Sequence, residues 1–325
     1  MDSQKQLILG SHISLNKSNN YLLGAVQESI YNGADCFMIF TGPPQNQRRV
    51  PIDQLFLSEA LKEAQKANIN FQNCVVHAPY IFNLAKKDED GFIHSLVVNE
   101  IQRTVQMGIK IFVVHPGFFY SKPKDPEQLS KDRQAGIQQI ISNLKRILKT
   151  TEHLDYWFAL ETMAGKKNQL GSSLEELKEI IEGCENHPRL AVCLDTVHLH
   201  DSGYDLSDVE GFKKHFDSLI GLDRIKTIHL GDSMNPRGSR KDRHANLNYG
   251  HIGFDTLMKW AYDEFFSTLP IIVETPFWIK KVGEKKTLVS PYKWEIQLIR
   301  NRAWKPIPNP EHQPIYNRFL TSTNE

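Results

Sequence analysis

The sequence predicts an α/β protein built as a single-domain (β/α)8 TIM barrel, with a metal site at the C-terminal face of its strands. A unit made of a short apolar run, a polar turn and an amphipathic segment recurs eight times along the chain. Strict alternation favours parallel strands, and eight units favour a closed barrel over the alternative, an open doubly wound sheet. The 325 residues, 40% of them hydrophobic, suffice for one large core.

The predicted strands are the apolar runs themselves. In chain order they are LILGSHIS (7–14), CFMIF (36–40), CVVH (74–77), IFVVH (111–115), WFALE (157–161), LAVCLD (190–195), IKTIHL (225–230) and PIIVE (270–274). Helical patterns follow them, such as SLEELKEIIEGC, which Ser172 or Ser173 could cap, and PYKWEIQLIRNR after the last strand. The barrel domain is expected over 1–303, and the Pro-rich segment 304–325 is expected to form an irregular tail.

Composition excludes several classes of protein. The apolar run near the N-terminus is too short for a signal peptide and no run approaches a membrane span, so we expect a cytoplasmic protein with no membrane partner. Four cysteines form no CxxC pair and are expected to be reduced core thiols. A formal net charge of +1 indicates that any contact with a polyanion is local.

One local basic region is the stretch 278–305, where eight Lys and Arg residues outnumber two Glu. Because it begins just after the eighth predicted strand, we predict a βα-loop on the rim of the barrel mouth, where lysines could neutralise phosphates. A solvated surface segment is the alternative.

Ionisable residues mark the ends of the last six predicted strands, and three more follow in nearby loops. The strand-end residues are His77, His115, Glu161, Asp195, His229 and Glu274, and the loop residues are His198, Asp242 and His244, the last two in the loop GSRKDRH. Taken singly, each could be a structural histidine or a helix cap. Together they would converge on one face of a barrel, where carboxylates at such density require compensating cations.

The chemistry of this set predicts metal ions. Imidazole and carboxylate ligands without thiolate suit zinc, manganese or iron, and nine ligands are too many for one ion and sufficient for three. Three divalent ions against four carboxylates would leave a local charge of about +2, which favours a phosphodiester anion.

The motifs VVHAPYIFNLA, VVHPG, ALETMAG, CLDTVHLHDSGYDL, IHLGDSMNPRGSRKDRH and IIVETP resemble those of the endonuclease IV family of zinc-dependent abasic-site (AP) endonucleases, in the family's order. The resemblance implies three Zn²⁺ ions per chain, with manganese as an alternative at one site. One ion would be held by His77, His115 and Glu161, a second by Glu161, Asp195, His229 and Glu274, and a third by His198, Asp242 and His244. Glu161 would be the central catalytic carboxylate, bridging the first two ions.

The activity implied by the resemblance is that of a deoxyribonuclease IV. Such a hydrolase cuts the phosphodiester 5′ to an abasic site, leaves a 3′-OH and a 5′-deoxyribose phosphate, and trims blocked 3′ ends. Hydroxide between the first two ions would attack phosphorus while the third ion stabilises the leaving 3′ oxygen. The implied partner is double-stranded DNA with abasic sites or blocked 3′ ends, bound by a monomer.

Four further residues are implied to contact DNA. TGPPQNQRR resembles the family loop that inserts an arginine into the base stack, which places Arg48 in that role, and Tyr80 would lie in a second intercalating loop. Arg240 and Arg243 would lie beside the phosphate. An abasic nucleotide has no base to unstack, so flipping it should cost less than flipping an intact one. The chain departs from the family pattern at AGKKNQLG (164–171) and at Asn248 and Tyr249.

Two alternative functions remain open at this stage. A metal-dependent sugar isomerase or epimerase of the same barrel class would require fewer metal ions, and a catalytically idle DNA-binding protein would be expected to have lost ligands. The complete set of nine argues against both.

Overall fold

The barrel is formed by eight parallel strands. The computed structural model describes residues 7–121, 125–283, 285–309 and 311–318. The barrel strands are β1 (Ile8–Ser11), β2 (Met38–Ile39), β3 (Val75–His77), β4 (Ile111–Val114), β5 (Trp157–Glu161), β6 (Leu190–Asp195), β7 (Ile225–Leu230) and β10 (Pro270–Val273). Their order is β1-β10-β7-β6-β5-β4-β3-β2, all pairs parallel. An isolated parallel bridge between His12 and Met38 joins the two ends of this order. The predicted barrel is confirmed.

Helices surround the sheet, as alternation requires. They are α1 (Leu22–Asn32), α2 (Leu57–Lys66), α3 (Phe92–Gln106), α4 (Pro126–Thr150), α5 (Leu174–Gly183), α6 (Thr196–Ser202), α7 (Val209–Leu219), α8 (Phe254–Ala261) and α9 (Tyr292–Asn301). Ser173, one of the two predicted caps, caps α5, since its hydroxyl accepts a hydrogen bond from Glu176 N at 3.2 Å. In the described part of the chain, none of the helices is long and apolar enough to cross a bilayer.

The strands are packed within a hydrophobic core. Strands β4, β6 and β10 are buried along their whole length, as expected for parallel strands covered on both faces. The rings of Phe112 and Phe158, from neighbouring strands, pack edge to face at 5.7 Å. All four cysteines are free and buried, which confirms their prediction as reduced core thiols.

The first part of the stretch 278–305 connects β10 to α9, as the predicted βα-loop does, but it has regular structure of its own. It begins with an antiparallel hairpin of β11 (Trp278–Val282) and β12 (Lys285–Val289), and α9 follows. The runs WIKKV and KKTLV pair because Gly283 turns the chain with a φ of +60°. Part of the tail also joins this sheet, because β13 (His312–Gln313) pairs with β11. A second small ribbon, β8 (Asp232–Ser233) with β9 (His244–Ala245), lies in the loop after β7.

Candidate metal centre

The predicted ligands meet at the barrel mouth, the face where the strands have their C-terminal ends. His77, Glu161 and Asp195 are the last residues of β3, β5 and β6, and His229 is the penultimate residue of β7. His115 and Glu274 directly follow β4 and β10. The three remaining residues come from α6 and from the segment that leads into β9. Parallel strands in one ring bring these ends together, as the sequence predicts.

Glu161 lies at the centre of the imidazoles. Its Oε2 is 3.0 Å from His77 Nε2 and 3.1 Å from His115 Nε2. Its Oε1 is 3.2 Å from His229 Nδ1 and 3.3 Å from His198 Nδ1. Burial alone would raise the pKa of Glu161, but the surrounding imidazoles, His115 and His229 foremost, hold it well below its usual range. The carboxylate is therefore ionised, and each of its oxygens faces a different pair of histidines.

Among the residues that the structure describes, three groups of side chains have ligand atoms close enough to hold a metal ion. They are His77 with His115 and Glu161; Glu161 with Asp195, His229 and Glu274; and Asp195 with His198 and His244, the ligand atoms in each group lying within 4.8 Å of one another. Glu161 and Asp195 each belong to two groups, so the groups are contiguous.

Asp242, expected to belong with the third group, lies beside it. Its Oδ1 is 3.0 Å from His198 Nε2 and 3.8 Å from His244 Nε2. Burial opposes the effect, but the hydrogen bond from His198 lowers the pKa of the Asp242 carboxyl to about 2. An ionised carboxylate thus faces the same two imidazoles as Asp195.

The electrostatics of the centre fit cations. Asp195 is fully buried, and among the described residues its Oδ2 has no hydrogen-bond donor. Burial and the nearby carboxylates Glu161 and Glu274 raise the pKa of Asp195 against the opposing imidazoles. A buried carboxylate oxygen without a donor is costly unless a cation satisfies it. The surroundings of His229 also favour positive charge. Burial alone would lower the pKa of this imidazole, but Cys193, Glu161 and Glu274 raise it well above its usual value.

The loop that carries Asp242 is held in place by Asp201, which sequence reasoning missed. Asp201 is fully buried, and its Oδ2 accepts a hydrogen bond from Asp242 N at 2.8 Å while its Oδ1 accepts one from Ser233 Oγ at 2.6 Å. Arg240 N also donates to the Asp201 carbonyl, at 2.9 Å. Arg240 and Asp242 both have positive φ, +54° and +57°. The buried carboxylate therefore stabilises a backbone conformation that the loop would not adopt alone.

A second residue that sequence reasoning passed over is His12. It follows β1, lies in the barrel mouth and lines a cavity of about 700 Å³ together with Glu161, His198 and Glu274. Within the described ranges its Nε2 is buried without a hydrogen-bond partner. Its position at the end of an apolar run is the signal that could have found it, since the strand-end rule applies to β1 as to the others.

Both predicted intercalating residues have side chains at the surface. Arg48 is exposed, whereas its neighbour Arg49 is anchored by an ion pair with the buried Glu100 at 2.5 Å and by a hydrogen bond to the Arg48 carbonyl at 2.8 Å. Of the two adjacent arginines, Arg48 is therefore the one free to reach outward. Tyr80 is half exposed, and its ring lies 5.2 Å from that of Phe40 and 5.5 Å from that of His115.

The other predicted contacts with DNA are also at the surface. Arg240 and Arg243 are exposed, and Arg240 lines a cavity of about 380 Å³ together with Arg133 and Ser172. On the hairpin, Lys281, Lys285 and Lys286 are exposed; we refer to these three as the hairpin lysines. Lys280 differs from them because its ammonium lies 3.3 Å from the Glu311 carboxylate.

Comparisons with known proteins agree with this geometry. A family model described as a xylose isomerase-like TIM barrel matches residues 28–292. The probable endonuclease 4 of Malacoplasma penetrans (strain HF-2) is 41% identical over 307 residues, which cover 93% of this chain and 99% of that protein.

Two solved structures share the fold. Endonuclease IV from Thermus thermophilus aligns with a TM-score of 0.73 at 24% identity, over 90% of this chain and 97% of that one. A D-tagatose 3-epimerase-like protein aligns with a TM-score of 0.58 at 19% identity, over 83% of this chain and 91% of that one. At these identities the structures show the barrel alone.

Proposed function

We propose, since this chain belongs to the endonuclease 4 family, that it is a metal-dependent hydrolase that cuts the DNA phosphodiester 5′ to abasic sites. The observation that carries the proposal is the contiguity of the three ligand groups, which share Glu161 and Asp195. Such a centre offers adjacent cations to one phosphate, and paired metal ions suit the attacking and leaving oxygens of an in-line displacement. The products would be a 3′-OH and a 5′-deoxyribose phosphate, and blocked 3′ ends would be trimmed by the same chemistry.

We assign the metal as zinc, three ions per chain, with manganese as an alternative at one site. The three groups contain only imidazole and carboxylate ligands, and two of them consist of two histidines with one carboxylate, a ligand set that zinc takes in hydrolases. In this assignment His198, His244 and Asp242 would hold the third ion, and the Asp195 carboxylate, which is grouped with the same two imidazoles, would add negative charge. The bound ions supply Lewis-acid chemistry, in that they lower the pKa of water and stabilise charge on phosphate oxygens.

The residues of the chain supply positioning. Glu161 fixes the spacing of the first two groups because its two oxygens face separate pairs of imidazoles. The imidazoles are themselves oriented by backbone carbonyls: His77 Nδ1 lies 2.8 Å from Ala78 O, His198 Nδ1 lies 2.8 Å from Thr162 O, and His244 Nδ1 lies 2.7 Å from Glu274 O. Such contacts fix the tautomer and leave Nε2 to face the centre.

Recognition of the lesion is assigned to the exposed residues around the mouth. Arg48 would enter the base stack, and Tyr80, whose ring lies beside that of His115, would belong to a second intercalating loop. Arg240 and Arg243 would neutralise the phosphate next to the third ligand group. The partner is thus double-stranded DNA damaged at an abasic site or a blocked 3′ end, and the protein would bind it as a monomer.

The proposal is tested by metal analysis of the purified protein together with incision of a synthetic duplex that contains one abasic site. We expect three zinc ions per chain and a product ending in 3′-OH, formed without added magnesium, while an undamaged duplex of the same sequence stays intact. A single ion per chain or a strict requirement for magnesium would refute the trinuclear centre. Epimerisation of free ketoses without incision would instead favour the sugar epimerase function.

A further inference from the structure

Two loops at the barrel mouth are joined by hydrogen bonds into one surface beside the metal centre. Phe118, after β4, and Gln169, after β5, form an isolated antiparallel bridge. Phe119 N donates to Asn168 O at 3.2 Å. The side chain of Asn83 holds the same segment, because its Nδ2 donates to Phe118 O at 2.9 Å and its Oδ1 accepts from Phe118 N at 3.0 Å. These hydrogen bonds therefore hold the two loops in a conformation that leaves several of their side chains exposed.

Four exposed side chains on these loops make up what we call the rim patch: Phe118, Tyr120, Lys166 and Lys167. Phe118 and Tyr120 are 38% and 75% exposed, with ring centroids 5.1 Å apart and an interplanar angle of 69°. The two lysines are exposed, and within the described residues neither is ion-paired. The four residues line a cavity of about 600 Å³, within the range that encloses a small organic group.

The composition of the rim patch points to a nucleic acid strand. Exposed aromatic rings next to cations are the combination with which proteins hold unpaired bases, the rings stacking on bases and the cations neutralising phosphates. The chain as a whole has a net charge of only +1, so these two unpaired lysines form a local anion-attracting surface.

The rim patch is continuous with the metal centre. Phe118 and Gln169 line both the cavity of the rim patch and the larger one that contains Glu161 and His198. A strand whose reacting phosphate lies at the centre therefore has its neighbouring nucleotides within reach of the patch.

We propose that the rim patch binds an unpaired nucleotide that flanks the lesion, its base stacked on Tyr120 or Phe118 and its phosphates neutralised by Lys166 and Lys167. The inference rests on the proposed function, since it takes damaged DNA as what enters the mouth. A base inside a duplex already stacks on both neighbours, so the patch gains contacts only from single-stranded, bulged or frayed DNA. The chain is thereby adapted to abasic sites with unpaired flanks.

The first test measures binding of a ten-residue oligothymidylate, without a lesion, to the metal-loaded protein by fluorescence anisotropy. Phe118→Ala with Tyr120→Ala should weaken binding by roughly fivefold to a hundredfold per stacked base. Tyr31→Ala is the matched control, because Tyr31 is a 66% exposed aromatic on α1 that already packs against Lys293 Nζ at 3.9 Å. It should leave binding unchanged. A base-free oligomer of tetrahydrofuran units should bind less tightly than oligothymidylate and should not distinguish the double variant from wild type.

The second test separates stacking from charge. Lys166→Ser with Lys167→Ser should reduce the magnitude of the salt slope by about 0.7 for each lost contact with a single strand, whereas the aromatic variant should bind more weakly at an unchanged slope. In cleavage assays the aromatic variant should lose more activity on single-stranded abasic DNA than on duplex.

The proposal is overturned if the aromatic variant binds oligothymidylate as tightly as wild type does. It is also overturned if the wild-type protein binds the base-free oligomer as tightly as oligothymidylate, because the patch would then recognise only negative charge. Wild-type incision of the abasic duplex is scored separately. If that incision fails while the aromatic variant still loses oligothymidylate binding, the proposed function fails and the single-strand site stands.

Discussion

Replacing Glu161 by Gln should separate the chemistry of incision from the binding of DNA. One carboxylate oxygen faces His77 and His115, at 3.0 and 3.1 Å, and the other faces His229 and His198, at 3.2 and 3.3 Å. An amide keeps one oxygen but presents an NH2 group to the other pair of imidazoles, and NH2 does not ligate a cation. Whichever way the amide turns, one of the two groups therefore loses its shared carboxylate.

The size of the effect follows from that loss. The first group would keep two of its three ligands, or the second would keep three of its four. We expect the metal content to fall by about one ion per chain and single-turnover incision to fall by about 10³-fold or more, the scale on which a preorganised electrostatic contribution to the transition state is lost. The affinity for abasic duplex should change little, since the substitution leaves the DNA-facing loops intact.

The assay pairs single-turnover incision at saturating protein with equilibrium binding to an uncleavable abasic analogue. Asp263→Asn provides the matched control, because Asp263 is a poorly exposed carboxylate that pairs with Lys213 at 2.6 Å and precedes β10, at the end of the barrel opposite the mouth. It should leave incision and metal content at wild-type values. Parallel loss of binding and cleavage in Glu161→Gln, or incision within tenfold of wild type, would refute the assignment of Glu161 as the shared ligand.

Three further predictions concern DNA contact and stability. Arg48→Ala should lower the preference for abasic over intact duplex by roughly tenfold in binding assays, with little change in single-turnover cleavage. The neighbouring Arg49 cannot serve as the control position, because its ion pair with Glu100 anchors the loop. Changing the hairpin lysines to Ser should make duplex binding less dependent on salt, reducing the slope of log affinity against log salt by roughly 0.9 per lost phosphate contact. Changing the ion-paired Lys280 alone should alter this slope less. An unchanged slope in the triple variant would show that the hairpin is solvated and does not contact DNA. Burial raises the pKa of Glu295 from 4.5 to about 7, so the native state keeps a proton that the unfolded chain releases, and wild-type stability falls as pH rises through this window. Denaturant unfolding should therefore show the free energy of unfolding of Glu295→Gln rising relative to wild type by about 3 kcal/mol between pH 4.5 and 7, and a constant difference would contradict the raised pKa.

The strands and the ligands at their ends could be predicted from the sequence because both follow from local pattern. The runs LAVCLD and IKTIHL coincide with β6 and β7 residue for residue. In a parallel barrel the last residue of each run is placed at the mouth by topology alone, so an ionisable residue there is near the others whatever the loops do.

The hairpin of β11 and β12 was missed for a different reason. Its lysines mark the stretch as a basic region. The runs WIKKV and KKTLV, on either side of a two-residue connection beginning with Gly283, nevertheless form a recognisable hairpin pattern. The alternation of strand and helix predicts a βα-loop after the eighth strand but says nothing about structure within that loop. An antiparallel insertion does not break the barrel, because it lies outside the parallel ladder, and the repeat pattern therefore carries no information about it.

Asp201 could not be found from the sequence, since its role exists only in three dimensions. It lies in α6, 41 residues before Asp242, and acts on that residue through a single backbone hydrogen bond. The loop it holds contains two non-glycine residues at positive φ, which an unsupported loop would relax. Ligands at strand ends inherit their position from the sheet, but Asp242 is placed by a buried carboxylate that itself belongs to none of the three ligand groups. The third group is thus the part of the centre whose geometry depends on the packing of a loop against α6.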